Sequence, residues 1–305
     1  MEERLNAIVT MLNDQLPEGY ILASLEQVPT SRGICTGIIC RHETNASPVF
    51  YTDMLPNLDD ITNQEAVDFI VNTILIQDPV TMQTFVDLVK EFGEETMKHL
   101  TLRVVNKSRM NELPDYISYF SVRETLDLIC YLTIDLWIDD ISETGSIAVT
   151  DSLLRYWNMA EREKELVDRA IQNIQSNVKI TSMAELLMEH AVEVAKEDVE
   201  IPMFVVTNTT GIYGANVIFA NSPFDSIADH FDTNGVIILP SSIHDLLAIP
   251  CDAPNEVLIE AFTRMVREVN TEQLLPNDIL SDHPYYYDYN TEKIIPLFPG
   301  VKNIL

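Results

Sequence analysis

The residue types best suited to chemistry fall in a short run, Ser241, Ser242, His244 and Asp245. A serine hydroxyl becomes a nucleophile when an imidazole takes its proton and a carboxylate orients that imidazole, so these residues define a candidate hydrolase site, with Asp282 as a carboxylate supplied from a distance. Neighbours in sequence rarely converge in that way. No GxSxG turn is present to expose a serine at the end of a strand. The competing expectation is a tight connection after Pro240 in which the hydroxyls satisfy turn amides.

A second cluster joins Asp278, Ser281, Asp282 and His283 to Tyr285, Tyr286 and Tyr287. Asp, His and Tyr can ligate a divalent metal, yet Pro276-Asn277-Asp278 and His283-Pro284 are turn chemistry, and the tyrosines suit a strand. Neither cluster is expected to bind metal, and no cofactor is expected. Phosphate loops of the GxxxxGK[ST] or GxGxxG type are absent, as are HExxH, EF-hand and CxxC patterns.

The third feature is a charge stripe. Glu189, Glu193 and Glu197 repeat at a helical spacing of four, with Asp198 and Glu200 beyond. Like charges so spaced cost an isolated helix roughly 0.2–0.5 kcal/mol per pair. The stripe reads either as a solvated face or as a docking surface for a basic partner. Overall, 19 basic residues against 48 acidic leave a net charge of −29. That excludes a generic binder of nucleic-acid backbone, which needs cations to displace phosphate counterions. Spread evenly over the surface expected for this mass, the excess is about one charge per 450 Å², roughly 20 Å apart and beyond the Debye length of about 8 Å. Only local clustering such as the stripe can therefore act on a partner.

The elements that must position these groups alternate in texture. Residues 1–16 read as a helix burying Leu5, Ile8, Val9 and Leu12. Tyr20–Val28, Gly33–Arg41 and Pro48–Thr52 follow as an antiparallel meander. Thr62 and Glu65 form a capping box for one helix, and Asp78-Pro79 opens a second that runs to Lys98. Leu100–Val105 reads as a strand, the apolar run Thr125–Ile138 as a long buried strand or a helix, with strand favoured, and Gly145–Val149 as a short strand. Helices then fill about 150–158, 159–176, opened by a capping box at Asn158 and Glu161, and 181–197. The last third reads β-β-α-β-β-α-β-β: strands at Met203–Thr207, Ala215–Ala220, Val236–Leu239 and Leu246–Ile249, helices at 222–231 and 254–270, and a hairpin of Tyr285–Tyr289 with Lys293–Leu297.

Four cysteines, Cys35, Cys40, Cys130 and Cys251, are too few and scattered for a disulfide framework and read as buried thiols. The N-terminus lacks a basic segment followed by an apolar one, and no apolar run approaches the length of a membrane span. A cytoplasmic location is expected.

Several segments are together familiar: Gly33-Ile-Cys-Thr-Gly-Ile-Ile, Pro48-Val-Phe-Tyr, Leu102-Arg-Val-Val-Asn-Lys, Leu239-Pro-Ser-Ser-Ile-His-Asp, Glu268-Val-Asn and Ile279-Leu-Ser-Asp. In this order they resemble an uncharacterised domain-of-unknown-function family of anaerobic Gram-positive gut bacteria, most strongly over residues 202–290. The resemblance implies kinship and carries no activity, cofactor or catalytic residue with it.

The expected fold is α+β, with antiparallel or mixed sheets and helices packed on one face. Three parts are expected: an α+β domain over 1–143, a helical segment over 144–200 and an α+β domain over 201–305. The expected function is a non-enzymatic protein-interaction module using its acidic surface through Glu189, Glu193 and Glu197, with another protein as partner and neither nucleic acid nor membrane. The alternatives are a Ser/His/Asp hydrolase around His244 and an acidic mimic of nucleic acid.

Overall fold

The computed structural model describes residues 2–30, 33–43, 47–52, 55, 58, 61–76, 86–137, 144–189 and 202–300. Helices and antiparallel sheets make the chain α+β. It divides into two compact units, one of Met1–Thr96, Glu112–Asp115 and Leu136–Gly145, the other of Met97–Asn111, Tyr116–Asp135 and Ser146–Leu305. Among the described residues no helix is long and apolar enough to cross a membrane.

In the first unit the expected meander forms: β1 (Tyr20–Thr30), β2 (Gly33–His42) and β3 (Val49–Tyr51) pair antiparallel in that order. Leu5, Ile8 and Leu12 recur along the helix Glu2–Asn13 and pack with Ala66, Val67 and Ile70 of the helix Asn63–Ile76 over Ala23, Ile38 and Phe50. The Thr62 capping box closes as expected. Its N–H donates to the Glu65 carboxylate at 2.7 Å, and Glu65 N–H donates back to the Thr62 hydroxyl at 3.2 Å. Burial of Cys40 in this core pushes its thiol up to about 12, so it is neutral at physiological pH. The helix expected from Asp78 starts outside the described residues; residues 86–90 are helical, and after Gly93 a separate helix, Glu94–Lys98, begins.

Strands β4 (Leu100–Asn106), β5 (Leu128–Trp137) and β6 (Thr144–Ala148) form an antiparallel sheet in that order. The apolar run after Thr125 is thus a strand, beginning at Leu128, and not a helix. Thr150 caps the helix Asp151–Tyr156 by accepting from Leu153 N–H. The next helix, Glu163–Ser176, buries Leu166, Val167, Ala170 and Ile174 as the periodicity required. Its start differs from expectation. Asn158 has φ 56° and ends the preceding turn, and Arg162 precedes the helix and pairs with Glu165 at 2.6 Å.

Residues 178–182, expected to enter a helix at 181, instead form β7 (Val178–Ser182), followed by the helix Met183–Glu189. β7 pairs with β8 (Phe204–Asn208). It thereby joins a six-stranded antiparallel sheet of order β12-β11-β9-β10-β8-β7, with β9 Gly235–Pro240, β10 Leu246–Pro250, β11 Tyr285–Asp288 and β12 Lys293–Pro296. Contacts group residues from Ser146 onward with Met97–Asn111 and Tyr116–Asp135.

The second strand expected near 215–220 is a fully buried 3-10 turn, Gly214–Phe219. A short apolar run fits either form, and packing decides between them. At Gly214 the chain passes so close to its neighbours that a Cβ would lie 2.0 Å from Thr207 Oγ1 and 2.7 Å from the His244 carbonyl oxygen. The helix Glu256–Glu272, capped by Asn255, lays Ile259, Phe262 and Val266 over Ile237, Leu239, Ile249 and Tyr286. On the opposite face Phe224 of the helix Ser222–Phe231 meets Tyr287 at 5.6 Å between ring centroids. Tyr285, Tyr286 and Tyr287 are all buried because this sheet carries helices on each side.

Replacement of Gly214 by alanine should lower the unfolding free energy by about 1–3 kcal/mol, the cost of overpacking a tight site. Chemical denaturation of the G214A variant measures it.

Candidate functional site

The connection from β9 to β10 holds Ser241, Ser242, His244 and Asp245. Ser242 Oγ donates to Asp245 Oδ1 at 3.0 Å and accepts from His244 N–H at 3.0 Å. The His244 carbonyl accepts from the Thr207 hydroxyl at 2.7 Å, and its Nδ1 accepts from Tyr213 N–H at 3.0 Å. An accepting Nδ1 leaves the ring proton on Nε2. Among the described residues no hydrogen bond joins the imidazole to Ser241 or Ser242. Asp282, the carboxylate expected to complete a relay, bonds His283 and Arg267 instead. Ser242, His244 and Asp245 therefore close a turn, which the His244 carbonyl ties to Thr207 of β8.

Tyr213 was not among the residues singled out in the sequence. Its backbone is left-handed at φ 53°, a conformation that costs a non-glycine residue of order 1 kcal/mol, and its ring lies 4.1 Å from the Arg103 guanidinium and 5.2 Å from the His244 ring. Arg103 is buried and paired with Asp135 at 2.8 Å. Asp135 also accepts from Thr133 Oγ1 at 3.0 Å and Ser146 Oγ at 2.7 Å. Tyr213 thus covers an ion pair whose charges are matched and hydrogen-bonded, the condition under which burial of charge is tolerated.

The second cluster is drawn together around a residue that the sequence reading passed over, Asp127. Antiparallel pairing sets Asn106 opposite Leu128, so Asp127 falls at the end of the β4–β5 ladder. Its carboxylate accepts from Tyr285 OH at 2.6 Å, Asn106 Nδ2 at 2.8 Å and Ser281 Oγ at 3.2 Å. Asn106 also donates to the Leu280 carbonyl at 3.0 Å, and Asn270 Nδ2 to that of Ser281 at 2.8 Å. His283, only 3% exposed, sets Nδ1 3.0 Å from Asp282 Oδ1 and 3.2 Å from Ser281 Oγ, while Nε2 stands 3.6 Å from Asp127 Oδ1. Its ring packs on Tyr285 and Phe298. Asp278 reaches this group through the backbone: its carbonyl accepts from Ile243 N–H at 3.0 Å, which ties the two clusters together.

Serine, histidine and aspartate are thus adjacent here, but Ser281 is 2% exposed and already bonded to both partners. A substrate carbonyl has no approach to a hydroxyl so enclosed. Among the described residues no group of three or more His, Cys, Asp or Glu side chains is placed to hold a metal ion. What the cluster does is hold strands: a carboxylate bonded by three neutral donors is a charge-assisted junction. Burial first, and the Asp127 charge second, raise the Tyr285 phenol well above its usual value, so it stays a donor. The hydrogen bond from His283 chiefly, with the Coulombic pull of His283 and Arg267 behind it, holds the Asp282 carboxyl below the usual range against a smaller opposing effect of burial.

Of the acidic stripe, Glu189 closes the helix Met183–Glu189, and Glu193 and Glu197 lie outside the described residues. Asp127 left one weak trace in the sequence, a lone acid between Leu126 and Leu128 at the head of an apolar strand. Tyr213 left none.

Fold and clusters together define a two-unit α+β protein with enclosed polar junctions in its larger unit. The chain belongs to a family of unknown function, DUF5688, whose model matches residues 1–289. Searches of curated proteins and of solved structures each returned no match.

Because the Asp282 carboxyl is depressed in the folded chain, its contribution to stability is present above the unfolded value near 3.9 and is lost as pH falls through the folded value. The Asp282→Asn variant should therefore differ from the parent in unfolding free energy at pH 6 and approach it toward pH 3. Denaturation at a series of pH values checks the slope.

Proposed function

We propose that this chain is a non-enzymatic cytoplasmic protein that acts by docking a basic protein partner on its acidic surface. The observation that carries the reading is the geometry at His244, where the ring nitrogen able to accept a proton is engaged by the Tyr213 backbone amide and the nearby hydroxyl by Asp245. The strongest catalytic constellation in the sequence is then occupied with closing a turn. A net charge of −29 supports the choice of partner. Carboxylates clustered within a Debye length raise association rates with cationic surfaces and repel anionic ones. The stripe of Glu189, Glu193 and Glu197 is the sequence feature suited to that task.

Exchange of these three glutamates for lysine should abolish capture of a partner from lysate of the native host, identified by mass spectrometry, and salt should weaken capture by the parent chain. An unchanged set of captured proteins, with the variant's circular dichroism matching the parent, contradicts the proposal.

A further inference from the structure

The sheet edges of the larger unit are treated unequally. On β4 the outward carbonyls of Leu100 and Leu102 accept from Asn173 Nδ2 and Asn216 Nδ2, at 2.8 and 3.0 Å. On β12 the outward positions are Ile294 and Pro296. The first has its carbonyl bonded by Thr125 Oγ1 at 2.8 Å, and the second has no N–H to offer. β7 is the opposite edge of that same sheet. Thr209 N–H donates to the Asn177 carbonyl at 3.0 Å, and Met183 N–H to that of Met203 at 2.9 Å, which fixes the phase of the β7–β8 ladder. Residues 177, 179, 181 and 183 bond toward β8, so the backbone groups of Val178, Ile180 and Ser182 point away from the sheet. Of these, Ser182 N–H is bonded by Glu185 at 3.3 Å. No hydrogen bond among the described residues takes the N–H and carbonyl of Val178 or Ile180, and the Ile180 side chain is 37% exposed.

We propose that β7 is a self-association edge, pairing antiparallel with β7 of a second copy of this chain about a two-fold axis at Ile180. The register is self-complementary: Ile180 faces Ile180, Val178 faces Ser182, and Lys179 faces Thr181. Charge favours the same occupant. From Arg169 to Ala184 the sequence holds no acidic residue, so in a chain of net charge −29 this pairing sets no carboxylate opposite another and no lysine opposite a lysine. With the Ser182 N–H held by Glu185, the two-fold arrangement supplies about four hydrogen bonds between copies, two across the Ile180 pair and one from each Val178 N–H to the Ser182 carbonyl of the other copy, and joins two six-stranded sheets into one. It makes no use of the acidic stripe and stands apart from the function proposed above.

Proline at position 180 tests this directly. The Ile180 N–H faces away from β8, so the ring removes a donor to the second copy and leaves the β7–β8 ladder intact, whereas proline at 179 breaks that ladder. Analytical ultracentrifugation of the parent from micromolar to millimolar concentration should show growth to twice the 34.6 kDa chain mass. The I180P variant should dimerise at least about ten-fold more weakly with unchanged circular dichroism. A parent that stays monomeric throughout, or an I180P dimer as tight as the parent's, overturns the proposal. Should I180P fail to fold, amide exchange on the parent decides: Val178 and Ile180 must gain protection as concentration rises, and constant exchange counts against the pairing, as does protection that appears only with another protein.

Discussion

Much of the larger unit converges on one carboxylate. Asp127 sits where the β4–β5 ladder ends, and the donors that reach it come from β4 (Asn106), from the loop before β11 (Ser281) and from β11 itself (Tyr285). An ionised carboxylate accepts and never donates, so each partner must present a hydrogen, and the three that do are neutral. Hydrogen bonds to a charged acceptor contribute about 1.5–3 kcal/mol each. Tyr285 is fully buried and neutral, its phenol held far from ionisation. The three-stranded and six-stranded sheets are thereby joined through side chains without sharing a strand, and the loop carrying Asp278, Ser281 and His283 is fixed between them.

Sheet edges follow a related rule. An unpaired strand edge exposes amide groups that seek partners, and this chain answers them with short side chains placed from neighbouring helices and turns. Asn13 takes both the N–H and the carbonyl of Ala23, at 2.7 and 2.9 Å, while Asn173 and Asn216 do the same for carbonyls of β4. A carboxamide carries a donor and an acceptor with the spacing of a peptide group, so it can end a sheet without adding a strand. The same economy appears at His244 and Ser242, whose polar atoms complete a turn.

Much of this organisation could be read from the sequence, for reasons that differ by element. The meander, the Thr62 capping box and the helices around Leu166 and Phe262 depend on local periodicity and capping, which the sequence carries openly. The 215–220 segment could not be read, because its apolar side chains suit a strand equally well and its 3-10 form is set by contact with Thr207 and His244, distant in sequence. β7 was hidden for a similar reason: Val178–Ser182 is too short and mixed to announce a strand without β8 beside it. Of the candidate site residues, Ser281, Asp282 and His283 do converge, and Ser241 to Asp245 do form one turn. The acid that organises the second cluster was illegible, since a lone Asp127 between leucines looks like any other surface acid until Tyr285 is placed beside it.

The central claim is that the Tyr285–Asp127 bond joins the two sheets, and a double-mutant cycle measures it most directly. Unfolding free energies of the parent, Tyr285→Phe, Asp127→Asn and the double variant yield a coupling energy free of the separate cost of each change. The account predicts a coupling of about 1.5–3 kcal/mol, as for a hydrogen bond to a charged group. A coupling indistinguishable from zero, with the two single effects simply adding, would contradict it.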